Sequence, residues 1–230
     1  MRAFVYVDGF NLFYGCLKGR KNKWLDINKL VSSYFPNYSI NKIKYFSAIT
    51  KARKNDLNKP VRQQIYFRAL KTNPNTEIIL GSFLENEVTY YVPEKTITGT
   101  QQIARVSLFY KQVALPLSGT NFFAVKKTEE KGSDVNLGAH LVMDAYEKRF
   151  DVAVVISNDS DLVEPINIVN RMDKLRVRLL NPYPFTQEKL KQTTLYTGVK
   201  YIRQGALASS QFPENMTDGI GNFHMPKDWK

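Results

Sequence analysis

The stretch Val154-Val155-Ile156-Ser157-Asn158-Asp159-Ser160-Asp161 carries an apolar run straight into two carboxylates two positions apart. Residues 3–7, Ala-Phe-Val-Tyr-Val, do the same and end at Asp8. A third stretch, Glu129-Glu130-Lys131-Gly132-Ser133-Asp134, places an acid where a helix would begin. Taken singly, each acid has a structural use. A carboxylate in a first helical turn complements the helix dipole, and Asp161 with Glu164 three residues on has the spacing of a capping box. Gathered in one cleft, Asp8, Asp134, Asp159 and Asp161 would repel, and some would be forced to take up protons. A divalent cation removes that penalty. With two histidines and one cysteine in the chain, the available donors are hard oxygens, which suit Mg²⁺ or Mn²⁺ over zinc. Such an ion activates water and offsets phosphodiester charge in a transition state. The four acids are therefore the candidate catalytic and metal-ligating residues.

The elements that must position them read as an α/β chain. Short apolar runs are expected as strands buried on both faces, at 3–7, 42–49, 76–83, 152–157 and 175–180. Between them lie expected helices at 10–17, 26–35, 56–72, 134–148 and 161–172. The helix at 56–72 is read with Val61, Ile65, Ala69 and Leu70 inward, and that at 134–148 with Val135, Ala139, Val142 and Tyr146 on one side. Alternating strands and helices predict a central, mainly parallel sheet with helices on both faces. In such a sheet, function collects beyond the carboxyl ends of the strands, where Asp8 and the Asp159/Asp161 pair are expected to sit. From about 85 to 127 the rhythm changes to alternating Thr, Val, Tyr and Phe, which predicts antiparallel strands in a β-hairpin-like insertion. Its aromatics Tyr90, Tyr91, Phe109, Tyr110, Phe122 and Phe123 are read mainly as hairpin core. The tail from about 208, with Pro213 and Pro226, is expected to wrap the surface of a single domain spanning 1–230.

Net charge +12 favours a polyanionic partner, nucleic acid first. The excess is concentrated. Residues 18–71 hold 14 Lys/Arg against Asp26 and Asp56 alone, a local net of +12. Arg53, Lys54 and Arg62 of this segment are candidate nucleic-acid contacts, with Lys131 and Ser157 nearer the acids. A lone cysteine, Cys16, excludes an internal disulfide and fits a reducing compartment. No window is apolar enough to span a membrane, and Asp8 arrives too early for a signal peptide. The expectation is a cytoplasmic protein.

The segments FVYVDGFNLFYG (4–15), EEKGSDVNLGAHLVMDAY (129–146) and DVAVVISNDSDLVEPI (151–166) resemble, in order and spacing, the three signature blocks of the NYN domain family, bacterial type, within the PIN-like nuclease superfamily. The resemblance covers residues 1–181, and the ending from Gln211 to Trp229 is similar to bacterial tails. It implies a Rossmann-like, PIN-like three-layer fold and metal-dependent cleavage of RNA. On this resemblance the first-strand acid is Asp8, the Asn that follows it is Asn11, the helix-start acid is Asp134, and the pair after the fourth strand is Asp159 and Asp161. Ser157 and Asn158 shape the turn. The 85–127 insertion departs from the family pattern. The expected function is a Mg²⁺- or Mn²⁺-dependent ribonuclease acting on single-stranded or structured RNA. Two rivals stand beside it: an RNA-binding or scaffolding module without turnover, and a phosphatase of small molecules. Asp8-Gly9-Phe10 lacks the second acid expected of the phosphatase. A homo-oligomer or a regulatory protein partner stays open.

Overall fold

The computed structural model describes residues 1–52, 56–91, 122–191 and 198–229. It comprises two units, Met1–Gly81 with Gly132–Lys230, and Ser82–Lys131. The first unit begins with β1 (Arg2–Asp8), α1 (Gly9–Leu12) and a π-helical turn (Phe13–Leu17), then α2 (Ile27–Tyr34), β2 (Ser39–Ser47), α3 (Lys59–Lys71) and β3 (Thr76–Leu80). The second unit is an antiparallel pair, β4 (Ser82–Tyr91) and β5 (Phe122–Lys131), in register from Ser82 opposite Lys131 to Tyr91 opposite Phe122. The first unit resumes with α4 (Ser133–Tyr146), β6 (Val152–Ile156), a 3₁₀ turn (Ser160–Leu162), α5 (Val163–Arg171), β7 (Arg176–Asn181) and β8 (Val199–Tyr201). It closes with α6 (Gln204–Ser209), β9 (Asn215–Asp218) and β10 (Gly221–His224).

The central sheet has the order β3-β2-β1-β6-β7-β8, and every adjacent pair in it runs parallel. This is the α/β, Rossmann-like three-layer fold. The chain winds outward from β1 through β2 and β3, then returns to the other side of β1 and winds outward again. The strand order reverses between β1 and β6, and a crevice opens at their carboxyl ends.

Strand periodicity divides the core. Val5, Val7, Tyr45, Val154, Ile156 and Leu180 join one buried cluster with α2 and α3. Tyr6, Phe46, Ala153, Val155, Val177 and Leu179 join the other, with α4 and α5. Alternate residues face opposite layers, which is why these strands read as continuous apolar runs.

Several expectations need correction. The strand expected at 76–83 is two strands: β3 stops at Leu80, and β4 begins at Ser82 in the other unit. On α3, Val61 is exposed while Tyr66 and Phe67 are buried. On α4, Leu137, Gly138, Leu141 and Ala145 face the sheet, and Val135, Ala139 and Tyr146 face away. That helix carries two apolar stripes, and the inward one is the stripe that also contains the buried Asp144. The tail does more than wrap the surface. The Trp24 indole donates to the Pro213 carbonyl at 2.8 Å and meets Phe212, Phe223 and Trp229 ring to ring. Residues 92–121 of the expected 85–127 insertion lie outside the described residues, as do the side chains of Tyr90, Tyr91, Phe122 and Phe123 and all of Phe109 and Tyr110.

A buried polar knot ties the α4 layer to the sheet. Asp144, on α4, accepts from Lys44 Nζ of β2 at 2.6 Å and from the Tyr6 hydroxyl of β1 at 2.7 Å. Its other oxygen accepts from Arg149 at 3.0 Å. Lys44 Nζ also lies 3.1 Å from His140 Nδ1. Breaking such a buried pair from one side strands a charge in low dielectric. We expect Lys44→Ala to lower unfolding stability in urea by about 3–5 kcal/mol. A Lys44→Met/Asp144→Leu double variant should recover part of that loss.

Candidate metal centre

The site assembles where β1 and β6 end side by side, with Val7 opposite Ile156. Asp8, the last residue of β1, caps α1: its Oδ1 accepts the backbone N–H of Asn11 at 2.8 Å. Close packing forces Gly9 next to it, because a Cβ there would fall 2.8 Å from the Phe46 carbonyl oxygen and from the Tyr45 ring. Asp8 Oδ2 accepts from the Ser157 hydroxyl at 3.0 Å, and Ser157 Oγ accepts the N–H of Asp159 at 3.0 Å. One hydroxyl thus stitches the end of β1 to the turn after β6.

Asp134 enters from the first turn of α4, which Gly132 opens in a left-handed conformation (φ 93°). Asp8, Asp134 and Asp159 each offer a carboxylate oxygen within 4.8 Å of the others. This acidic triad could hold a metal ion. Asp8 is buried, and burial pushes its carboxyl up to about 7, with Asp134 and Asp159 adding to the rise and the Asn11 and Ser157 hydrogen bonds opposing it.

Asp161, expected as a fourth ligand, is outside this group. Asp159, not Asp161, caps the 3₁₀ turn, accepting the Asp161 N–H at 2.9 Å. Asp161, two positions on, is exposed. The capping-box reading of Asp161 and Glu164 fails with it: α5 is preceded by Leu162 without a side-chain cap, and Glu164 pairs with Arg171 at 2.8 Å.

Asn11 belongs to the site through its side chain, whose Oδ1 accepts the N–H of Asn158 at 2.8 Å. Asn158 Oδ1 in turn accepts from Asn181 Nδ2 at 2.9 Å and from the Gln187 N–H at 3.0 Å. Asn181 is wholly buried at the end of β7 and its amide also reaches the Phe185 carbonyl at 3.0 Å. The sequence reading missed Asn181, Tyr183, Phe185 and Gln187. The available signal was a polar residue, Asn181, ending the apolar strand 176–181. Together with Asn11, Asn158, Asp159 and Ser160, Tyr183, Phe185 and Gln187 line a cleft of about 230 Å³.

The expected nucleic-acid contacts fare unevenly. Ser157 is buried and acts within the site. Arg62 is held between Asp56 and Asp228, so its charge is offset locally. Lys131 is exposed at the end of β5 in the hairpin unit. Arg53 and Lys54 lie outside the described residues.

No family model matches the chain. The whole chain aligns, at 25% identity over 255 residues, with 75% of the 6-hydroxy-3-succinoylpyridine 3-monooxygenase of Pseudomonas putida. Among solved structures, a protein of unknown function from Vibrio parahaemolyticus matches 88% of this chain over 93% of its own, with a TM-score of 0.52 and 15% identity, a likeness of fold.

The raised Asp8 pKa fixes how ion uptake should depend on pH. Below about 7 the carboxyl holds its proton, so an entering cation must displace it. Mn²⁺ affinity is expected to climb by up to about tenfold per pH unit from 5 to 7 and to level off above, with proton release read by calorimetry in buffers of different ionisation enthalpy. Because the folded pKa lies above the unfolded value of about 3.9, the ion-free fold should lose stability as pH rises from about 4 through 7. Added Mn²⁺ should restore it.

Proposed function

We propose that this chain is a metal-dependent ribonuclease whose Asp8, Asp134 and Asp159 hold Mg²⁺ or Mn²⁺. The observation that carries the reading is the triad itself: three carboxylates within 4.8 Å at the reversal point of a parallel sheet, one of them buried. An all-oxygen donor set suits a hard divalent ion. Bound there, the ion would supply activation of water and stabilisation of phosphodiester charge. The chain's own residues do the positioning. Ser157 fixes Asp8 relative to Asp159, and Asn11 holds the 157–159 turn through the Asn158 N–H. Asn11 and Gln187 line the adjoining cleft, where amides can meet phosphate or ribose oxygens. The resemblance to NYN domains supports the same assignment, with Asp161 moved from ligand to the outer edge of the site.

The test is cleavage of end-labelled single-stranded RNA with Mn²⁺, with Mg²⁺ and with EDTA. Asp134→Asn and Asp159→Asn are each expected to lower the rate on the order of 10²-fold or more, the worth of several kcal/mol of lost charge stabilisation. EDTA should abolish the products. Salt-dependent RNA binding without products, indifferent to metal, would instead favour the non-catalytic RNA-binding module.

The Pseudomonas putida relative motivates a second reading, oxygenation of a hydroxylated pyridine ring. Non-haem iron oxygenases favour two histidines with one carboxylate, and the triad's three carboxylates fit that chemistry less well. Oxygen uptake on mixing the protein with 6-hydroxy-3-succinoylpyridine and NADH would favour this reading over the nuclease.

A further inference from the structure

We propose that the cavity bounded by the π-helical turn, the end of β2 and α3 binds the base of a nucleotide. The inference rests on the ribonuclease reading for its biological use but is carried by different residues. The cavity measures about 220 Å³, below the range of about 300–1,000 Å³ typical of larger ligands, and so is sized for one ring system. Phe13, Tyr14, Tyr45 and Trp229 contribute aromatic surface to its wall. Such faces accept any planar base.

Its polar groups are the telling feature. Tyr45 and Ser47 are two apart on β2 and share the face that lines the cavity. They are 6% and 3% exposed, yet neither side-chain oxygen has a hydrogen-bond partner among the described residues. Both hydroxyls open onto the cavity, where the edge atoms of a ligand could take the place of water as their partner. Burial, and after it the Asp8 carboxylate, push the Tyr45 phenol up, which keeps it a donor. The neighbouring loop is preformed. Gln63 accepts the Thr50 N–H at 2.8 Å and donates to the Ala48 carbonyl at 2.9 Å.

Position and charge select a nucleotide over a neutral ring. Gly9, which follows Asp8 directly, lines the cavity. Lys23 stands in the wall, at the end of a run with Lys18, Arg20 and Lys21 for which the described residues supply no acidic partner. A base in the cavity would leave its phosphate to meet this basic run.

The experiment is a titration in EDTA with AMP, GMP, CMP and UMP, followed by tryptophan fluorescence. Trp229 lines the cavity, whereas Trp24 is fully buried. We expect saturable binding of at least one nucleotide, weakened about threefold to tenfold by Tyr45→Phe, the worth of one hydrogen bond. Lys23→Gln should weaken the nucleotide but not the matching nucleoside. The inference is overturned if no nucleotide saturates the signal, if Tyr45→Phe binds as tightly as wild type, or if nicotinate saturates the site while every nucleotide fails. Because EDTA prevents cleavage, nucleotide binding without any later RNA cleavage in Mn²⁺ would sink the ribonuclease reading alone. Cleavage without nucleotide binding would sink this one alone.

Discussion

A carboxylate buried at the end of the central strand, with like charges beside it, is the constraint around which the first unit is organised. Asp8 cannot turn away to solvent. Its two oxygens are fixed by the Asn11 N–H and the Ser157 hydroxyl, and Gly9 leaves no room for the chain to shift. Parallel pairing of β1 with β6 then brings the 157–159 turn alongside it. The topology supplies the third acid by beginning α4 on the same layer. None of the three could be placed there by local preference alone, since only the strand crossover makes residues so far apart along the chain into neighbours.

A second buried acid shows that this arrangement is not forced by the fold. Asp144 is as deeply buried as Asp8, but Lys44, Arg149 and the Tyr6 hydroxyl surround it. Its charge is balanced within the protein. Asp8 meets two backbone or hydroxyl donors and two further carboxylates. One layer of one sheet therefore contains both an acid paired with protein cations and an acid set beside two further carboxylates. Structural burial accounts for the first. The second belongs to an acidic triad that could hold a metal ion.

The sheet was legible in the sequence because strands buried on both faces read as unbroken apolar runs, and because Asp8 and Asp159 each follow one directly. Asp134 was legible from its place at a helix start. What failed has a common cause: contacts between distant segments override local pattern. The stripe on α4 could not be chosen from periodicity, since two apolar stripes compete and the choice is made by Asp144 reaching Lys44. Asp161 read as a ligand because Asp-x-Asp suggests a pair, yet among the described residues it is Asp159, the cap of the 3₁₀ turn, that gathers with Asp8 and Asp134. The π-helical turn at Phe13–Leu17 has no compositional mark. Asn181 escaped notice because its role comes from neighbours at Asn158 and Phe185 that only the fold supplies.

The basic segment 18–71 illustrates the same point for charge. In one dimension it holds the whole excess of the chain. In the folded unit, Lys42 meets Glu77, Lys44 meets Asp144, Arg62 meets Asp56 and Asp228, and Arg68 meets Asp218. Most of those acids come from outside the segment. Ion pairing of this kind spends positive charge on holding elements together and withdraws it from long-range attraction. The run from Lys18 to Lys23 keeps its charge, and it follows directly on the π-helical turn that lines the aromatic cavity. The charge that could draw a polyanion is therefore smaller than the sequence count alone implies.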